Sequence, residues 1–240
     1  MKKKKTVIVT GASRGIGAAI TQAFLDRDYN VVATSRSISK SSLTPSSSLA
    51  LVDGDIGNVT TVEKVARVAV SKFGSIDHLI NNAGIYAAKP FTEYSADDLH
   101  GFVSTNLDGF VFMTQIAVKQ MLAQNDGGSV TTITAALADN PIVEVPSSIP
   151  MITKGGLNAV TLSLANEYAR NHIRFNAVAP GVVDTPMHED HPKDFLKTLS
   201  PMATISEAQD VVDAVIYLVE ARYVTGEVLH VDGGAHVGRW

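Results

Sequence analysis

"TVIVTGASRGIG", residues 6–17, decides the fold. Residues 6–10 form an apolar, β-branched run that reads as a buried strand. The run passes into a glycine turn, Thr10-Gly11-Ala12-Ser13-Arg14-Gly15-Ile16-Gly17, and residues 16–26 follow as a helix. Glycines there let the backbone approach a pyrophosphate and let the helix pack on the strand. The helix start offers free N–H groups and the positive end of its dipole. A plain turn would also be glycine-rich, and the spacing Gly-x-x-x-Gly-x-Gly is not the commoner Gly-x-Gly-x-x-Gly. The strand–turn–helix setting favours a nucleotide.

Outward from that turn the pattern repeats. Apolar runs at 30–34, 49–52, 78–80, 129–133, 175–178 and 228–231 read as further strands. Residues 59–73, 97–124 (with a bend), 150–170 and 207–220 read as helices, and the serine-rich 35–48 as a loop. Strands apolar on both faces, alternating with helices, specify an α/β fold: a doubly wound Rossmann domain, its parallel seven-stranded sheet covered on both faces by helices. No repeat or linker divides the chain, so residues 1–240 are expected to form one domain. Residues 181–205, with several prolines and a charged middle, read as an excursion over the substrate.

Bulk properties remove other classes. A net charge of −4 argues against nucleic acid as a partner. The apolar run behind the basic start, residues 1–5, is too short for a signal-peptide core. No segment approaches the roughly 20 apolar residues of a membrane helix. With no cysteine, disulfides and thiol chemistry are excluded, and a cytoplasmic location is the default. The histidines show no metal-ligand spacing, so no metal is expected.

An NAD site places Asp or Glu at the end of the second strand, to hold the ribose 2′-hydroxyl. Thr34-Ser35-Arg36 stands there instead. An arginine fork suits a 2′-phosphate, and Arg14 in the glycine turn adds a second cation. NADP(H) is therefore expected over NAD(H); the alternative is two solvated surface arginines.

These residues resemble the short-chain dehydrogenase/reductase family, classical type, over nearly the whole chain. The resemblance is carried by the glycine turn, by Asp55-Ile56, by Asn81-Asn82-Ala83-Gly84, by Asn106 in Thr105-Asn106-Leu107, and by residues 174–181. Val183-Asp184-Thr185-Pro186-Met187 and the tail Gly226 to Gly234 continue it. The resemblance implies a cofactor held by Gly11, Ser13, Arg14, Gly15, Ile16, Gly17, Ser35 and Arg36 on one side. On the other it implies Asp55, Ile56, Asn82, Ala83, Gly84, Lys154, Pro180, Gly181, Val183 and Thr185. It also implies a small-molecule substrate, and a homodimer or homotetramer built through the long helices and the last strand.

The family's chemistry rests on Asn, Ser, Tyr and Lys. The tyrosine moves the substrate proton, the lysine lowers its pKa and holds the ribose, the serine orients the substrate, and the asparagine positions a water. Asn106 and Lys154 match. The serine position is Ala135, with Thr134 beside it, and the tyrosine position is Pro150. Proline suits the first turn of a helix, which Ser147 or Ser148 would cap.

General acid catalysis is worth about 10²–10⁴-fold, so carbonyl reduction needs another donor. Lys154 is one candidate, its alternative role being ribose binding alone. Tyr86 and His188 are others, and each would otherwise be a passive lining or solvated residue. Thr134 either orients the substrate or packs. Glu144 also lies near the helix entrance. Three functions follow: an NADP-dependent oxidoreductase with a non-standard donor, a catalytically silent NADP-binding sensor or partner subunit, or a dehydratase or isomerase on the same scaffold.

Overall fold

The computed structural model describes residues 4–238; the first part of the basic run, Met1–Lys3, and residues 239–240 lie outside them. One sheet of seven strands runs in the order β3-β2-β1-β4-β5-β6-β7, with every neighbouring pair parallel. The strands are β1 Thr6–Thr10, β2 Asn30–Ser35, β3 Leu49–Asp53, β4 His78–Asn81, β5 Gly128–Ile133, β6 Ile173–Pro180 and β7 Val228–Val231. The helices are α1 Gly15–Asp26, α2 Val59–Val68, α3 Ala96–Phe102, α4 Gly109–Gln124, α5 Ser148–Tyr168, α6 Lys193–Lys197 and α7 Ala208–Glu220. All seven expected strands are present. β6 runs two residues further than its apolar core at each end, because Arg174 and Pro180 also pair along its neighbours.

β1 shows why this sequence makes a two-faced sheet. All five of its residues are buried. Val7 and Val9 join the cluster under α1 and α7, with Ile20, Phe24, Val211 and Val215. Ile8 points the other way, to Val65 of α2, Met113 of α4 and Phe175. Successive side chains alternate across a strand, so an unbroken apolar run needs helices on both faces. Phe24 and Ile8 are 0% exposed, and burying each contributes about 2–3 kcal/mol.

The predicted bend in the long helix of 97–124 is a wide π turn, Val103–Asp108, between α3 and α4. Ser95 and Asp98 form a reciprocal capping box that fixes where α3 starts. A second π turn, Ala69–Phe73, continues α2. The serine-rich loop holds one 3-10 turn, Ile38–Lys40. The excursion at 181–205 contains α6 and is tied back by a parallel bridge between Val183 and Ser206. Among the described residues, no helix is long and apolar enough to cross a membrane.

Candidate active site

The strand order reverses between β1 and β4, and the crevice outside their carboxyl ends is where such sheets bind ligands. Gly11 opens the turn at φ +64°, and a Cβ there would stand 2.8 Å from Ala83 Cα. A Cβ on Gly17 would stand 2.3 Å from Gly11 O and 2.4 Å from Asn82 Nδ2. The turn is stitched to the exit of β4. The N–H groups of Asn82 and Ala83 donate to Thr10 Oγ1 at 3.0 and 2.9 Å. Asn82 Nδ2 donates to Thr10 O at 2.9 Å and to Gly11 O at 3.1 Å. Thr10 was not singled out from sequence, because its partners lie more than seventy residues away. Ser13 is half-buried and Ile16 packs on the core. Arg14 is the extended residue before α1, and no side chain caps that helix. Its first-turn N–H groups are therefore left without a side-chain partner, as an anion-binding helix start requires.

The far wall lies past β2. Ser35 Oγ is buried without a hydrogen-bond partner, and Arg36 beside it is exposed. Among the described residues, no ion pair engages Arg14 or Arg36. The one carboxylate in register with Ser35 is Asp53, and it accepts from Ser39 N at 2.9 Å and from Ser39 Oγ at 2.5 Å. Those bonds lower its pKa. Asp55 is exposed and accepts from Gly57 N at 2.9 Å, while Ile56 is buried against Gly109. A cradle that any Cβ would fill, an orphaned hydroxyl and two unpaired cations fit a dinucleotide.

The opposite end of the crevice holds the remaining candidates. Asn106 sits in the π turn, 1% exposed. Wide turns of this kind often mark functional positions. Its Oδ1 accepts from Ile85 N at 2.9 Å, and its Nδ2 donates to Ile85 O at 3.2 Å and to Thr153 Oγ1 at 3.0 Å. Thr153 Oγ1 in turn donates to Pro150 O at 2.8 Å. Thr153 thus locks Asn106 to the first turn of α5, a role with no sequence signal beyond its place next to Lys154. Lys154 is 9% exposed and its Nζ donates to Ile133 O at 2.8 Å. Burial lowers its pKa from 10.5 to about 8. A Cβ on Gly84 would lie 3.2 Å from Lys154 Nζ and 3.4 Å from Asn106 Oδ1. Gly84, Asn106 and Lys154 therefore converge on one buried spot at the end of β5.

The loop after β6 closes the crevice. Pro180 ends the strand, Gly181 N donates to Val231 O at 3.0 Å, and Val183 is buried. Thr185 comes back against the glycine turn, since a Cβ on Gly15 would meet Thr185 Cβ at 3.4 Å.

The expected substitutes for the missing groups separate. Thr134 is buried and its Oγ1 donates to Val178 O at 3.3 Å, while Ala135 offers no hydroxyl. Neither expected serine caps α5. Ser147 occupies the cap position but its Oγ donates to Val145 O at 3.1 Å, and Ser148 is exposed inside the helix. Pro150 is buried in the first turn, where its missing N–H leaves no donor unpaired. Glu144 is exposed. His188 packs edge-on against His191, with ring centroids 5.9 Å apart. Burial, and then the charge of His191, lower its pKa, while Asp184 opposes them. The Tyr86 hydroxyl is buried beside the Ser147 hydroxyl, yet no neighbour meets hydrogen-bond geometry. Burial raises its pKa above the usual value, against the pull of Ser147. Among the described residues, no group of three or more His, Asp or Glu is placed to hold a metal ion.

A family model described as "Enoyl-(Acyl carrier protein) reductase" matches residues 11–236. "Carbonyl reductase family member 4" of Xenopus laevis is 32% identical over 232 residues, covering 96% of this chain and 97% of the relative. The solved structure "ElxO with NADP Bound" superposes with a TM-score of 0.90 at 28% identity, covering 98% of this chain and 100% of that one. The 3-ketoacyl-(acyl-carrier-protein) reductase of Brucella melitensis, complexed with NADH, superposes with a TM-score of 0.87 at 26% identity, covering 97% and 98%.

Proposed function

The chain belongs to the classical short-chain dehydrogenase/reductase family, and on that premise we propose that it is an NADP-dependent oxidoreductase acting on a small carbonyl or alcohol with a proton donor other than the family's tyrosine. The observation that carries this reading is Lys154, held buried against Gly84 and Asn106 with its pKa lowered to about 8. An ammonium kept out of water at a cost in stability is a feature of working sites.

When bound, the cofactor supplies or accepts a hydride; this chain's residues do the rest. The glycine turn and the uncapped start of α1 hold the pyrophosphate. Arg36, Arg14 and the orphaned Ser35 hydroxyl receive the 2′-phosphate, and this supports NADP(H) over NAD(H). Asp55, Ile56, Asn82 and Ala83 flank the adenine side. Lys154, Pro180, Gly181, Val183 and Thr185 hold the ribose and carboxamide at the reacting end. Asn106 fixes the entrance of α5 through Thr153 and keeps Lys154 in place. The loop at 181–205 shapes the substrate pocket of a single domain spanning 1–240, working in the cytoplasm. Exposed apolar side chains on α4 and α5, Val111, Leu122, Ile152 and Leu162, support a homodimer or homotetramer through the long helices.

NADPH and NADH absorbance is followed at 340 nm with ketones, quinones and imines. The reading expects consumption of NADPH faster than of NADH. NADPH that binds and is never consumed would return the chain to a silent binder.

A further inference from the structure

Resting on that oxidoreductase reading, we propose that Tyr86 replaces the missing tyrosine, donating its phenolic proton to the substrate's carbonyl oxygen. Consecutive residues carry the argument. Gly84 backs onto Lys154 Nζ and Asn106 Oδ1. The peptide of Ile85 is clasped on both sides by the Asn106 amide. Tyr86 is next in the chain, so its backbone is anchored to the same buried spot. Its hydroxyl reaches the entrance of α5 beside Ser147, three residues before Pro150. Pro150 brings no hydroxyl to the position that the resemblance gives the tyrosine.

The hydroxyl is also orphaned. Its oxygen is shielded from solvent and lacks a partner of good geometry, while the side chains of Asn106, Thr153 and Lys154 are all hydrogen-bonded. The neighbouring tyrosine shows the contrast: Tyr94 donates to Ala87 O at 2.8 Å and accepts from Lys89 N at 3.2 Å. A buried hydroxyl left unpaired in a native site calls for a partner that arrives later. A substrate oxygen is such a partner.

In the reductive direction the carbonyl carbon gains the hydride and the π pair moves to oxygen, which takes the Tyr86 proton. Two electrons pass from the reduced nicotinamide to the substrate, and a phenolate remains. Solvent returns its proton once the product has left. Burial raises the phenol's pKa, so the group stays protonated across the physiological range.

Tyr86→Phe is compared with wild type on NADPH and ethyl acetoacetate, cyclohexanone and 9,10-phenanthrenequinone. The expected result is a fall in kcat on the ketones of about 10²–10⁴-fold, with NADPH affinity unchanged. Adding Pro150→Tyr to Tyr86→Phe should recover at least about tenfold of that loss, as a second acid delivered to the same oxygen would. Independently of turnover, the alkaline difference spectrum of wild type against Tyr86→Phe should show one tyrosine titrating above the ordinary range. If wild type turns over a probe and Tyr86→Phe matches it within about twofold, well short of any general-acid effect, this inference fails while the oxidoreductase reading stands. A parallel loss of NADPH affinity would make Tyr86 structural and also overturn it. If wild type consumes no NADPH with any probe, the underlying reading fails and takes this inference with it.

Discussion

Replacing Lys154 by methionine should make the cofactor-free protein more stable. The ammonium releases its proton near pH 8 rather than 10.5 because it is buried. Holding its charge in the fold at pH 7 therefore costs about 3 kcal/mol, at 1.4 kcal/mol for each tenfold change. Methionine keeps the length of the stem and removes the charge. It also removes the 2.8 Å bond to Ile133 O, a loss of about 1–2 kcal/mol. The balance is a gain of about 1–2 kcal/mol, or roughly 3–6 °C in Tm for a chain of this size.

The sign with pH is distinctive. The folded pKa lies below the unfolded one, so between pH 8 and 10.5 the unfolded chain binds a proton that the folded one has released. Wild-type stability rises across that window by the whole of that charge cost, so the variant's advantage is full below pH 8 and has turned into a deficit above 10.5, where only the lost bond to Ile133 O remains. Urea unfolding of both proteins at pH 7 and pH 10, without cofactor, reads the difference directly. A variant less stable than wild type at pH 7, or an advantage of equal size at both pH values, would refute the reasoning. The same variant should lose NADPH affinity, which separates a residue kept for function from one kept for the fold.

His78 is buried in β4 with its Nδ1 2.8 Å from Ser129 Oγ, and burial, then Lys5 and Arg174, push its pKa from 6.5 to about 3. Folded His78 refuses a proton that the unfolded chain accepts, so stability is lost as pH falls from 6.5 toward 3. Urea melts at pH 7 and 5 should show wild type losing about 2 kcal/mol more than His78→Gln. In Gly17→Ala the new methyl would stand 2.3 Å from a backbone oxygen that cannot yield. It should cost about 2–3 kcal/mol in unfolding experiments and more than about tenfold in NADPH affinity, since the cradle itself shifts. Arg36→Ala should weaken NADPH about tenfold or more in fluorescence titrations, the worth of one charge-assisted contact, and leave NADH nearly unchanged; equal effects on both would leave Arg36 a surface residue.

The sheet was legible because its evidence is local. Each strand is a short apolar run, the first ends in a glycine turn, and β-branched residues dominate. Asn106, Lys154 and the Gly84 approach were legible by resemblance, and the structure brings the three side by side. What escaped depends on partners distant in the chain. Thr10 is significant only because β4 exits beside it. Thr153 matters through an amide 47 residues earlier. Ser147 looked like a helix cap, but its hydroxyl turns back to Val145 O, a choice between two nearby acceptors that composition does not decide. The orphaned hydroxyls of Ser35 and Tyr86 are invisible in one dimension, since burial without a partner is a property of the packed chain.

The central claim is that this crevice moves a hydride. NADPH deuterated at the nicotinamide C4, on each face in turn, is incubated with the protein and a ketone that it consumes, whose alcohol keeps the label on carbon, and the product is examined by mass spectrometry. The account predicts a product one mass unit heavier with one of the two labelled cofactors, and no label transfer with Lys154→Met. Product without label from either cofactor, or label transfer undiminished in Lys154→Met, would contradict it.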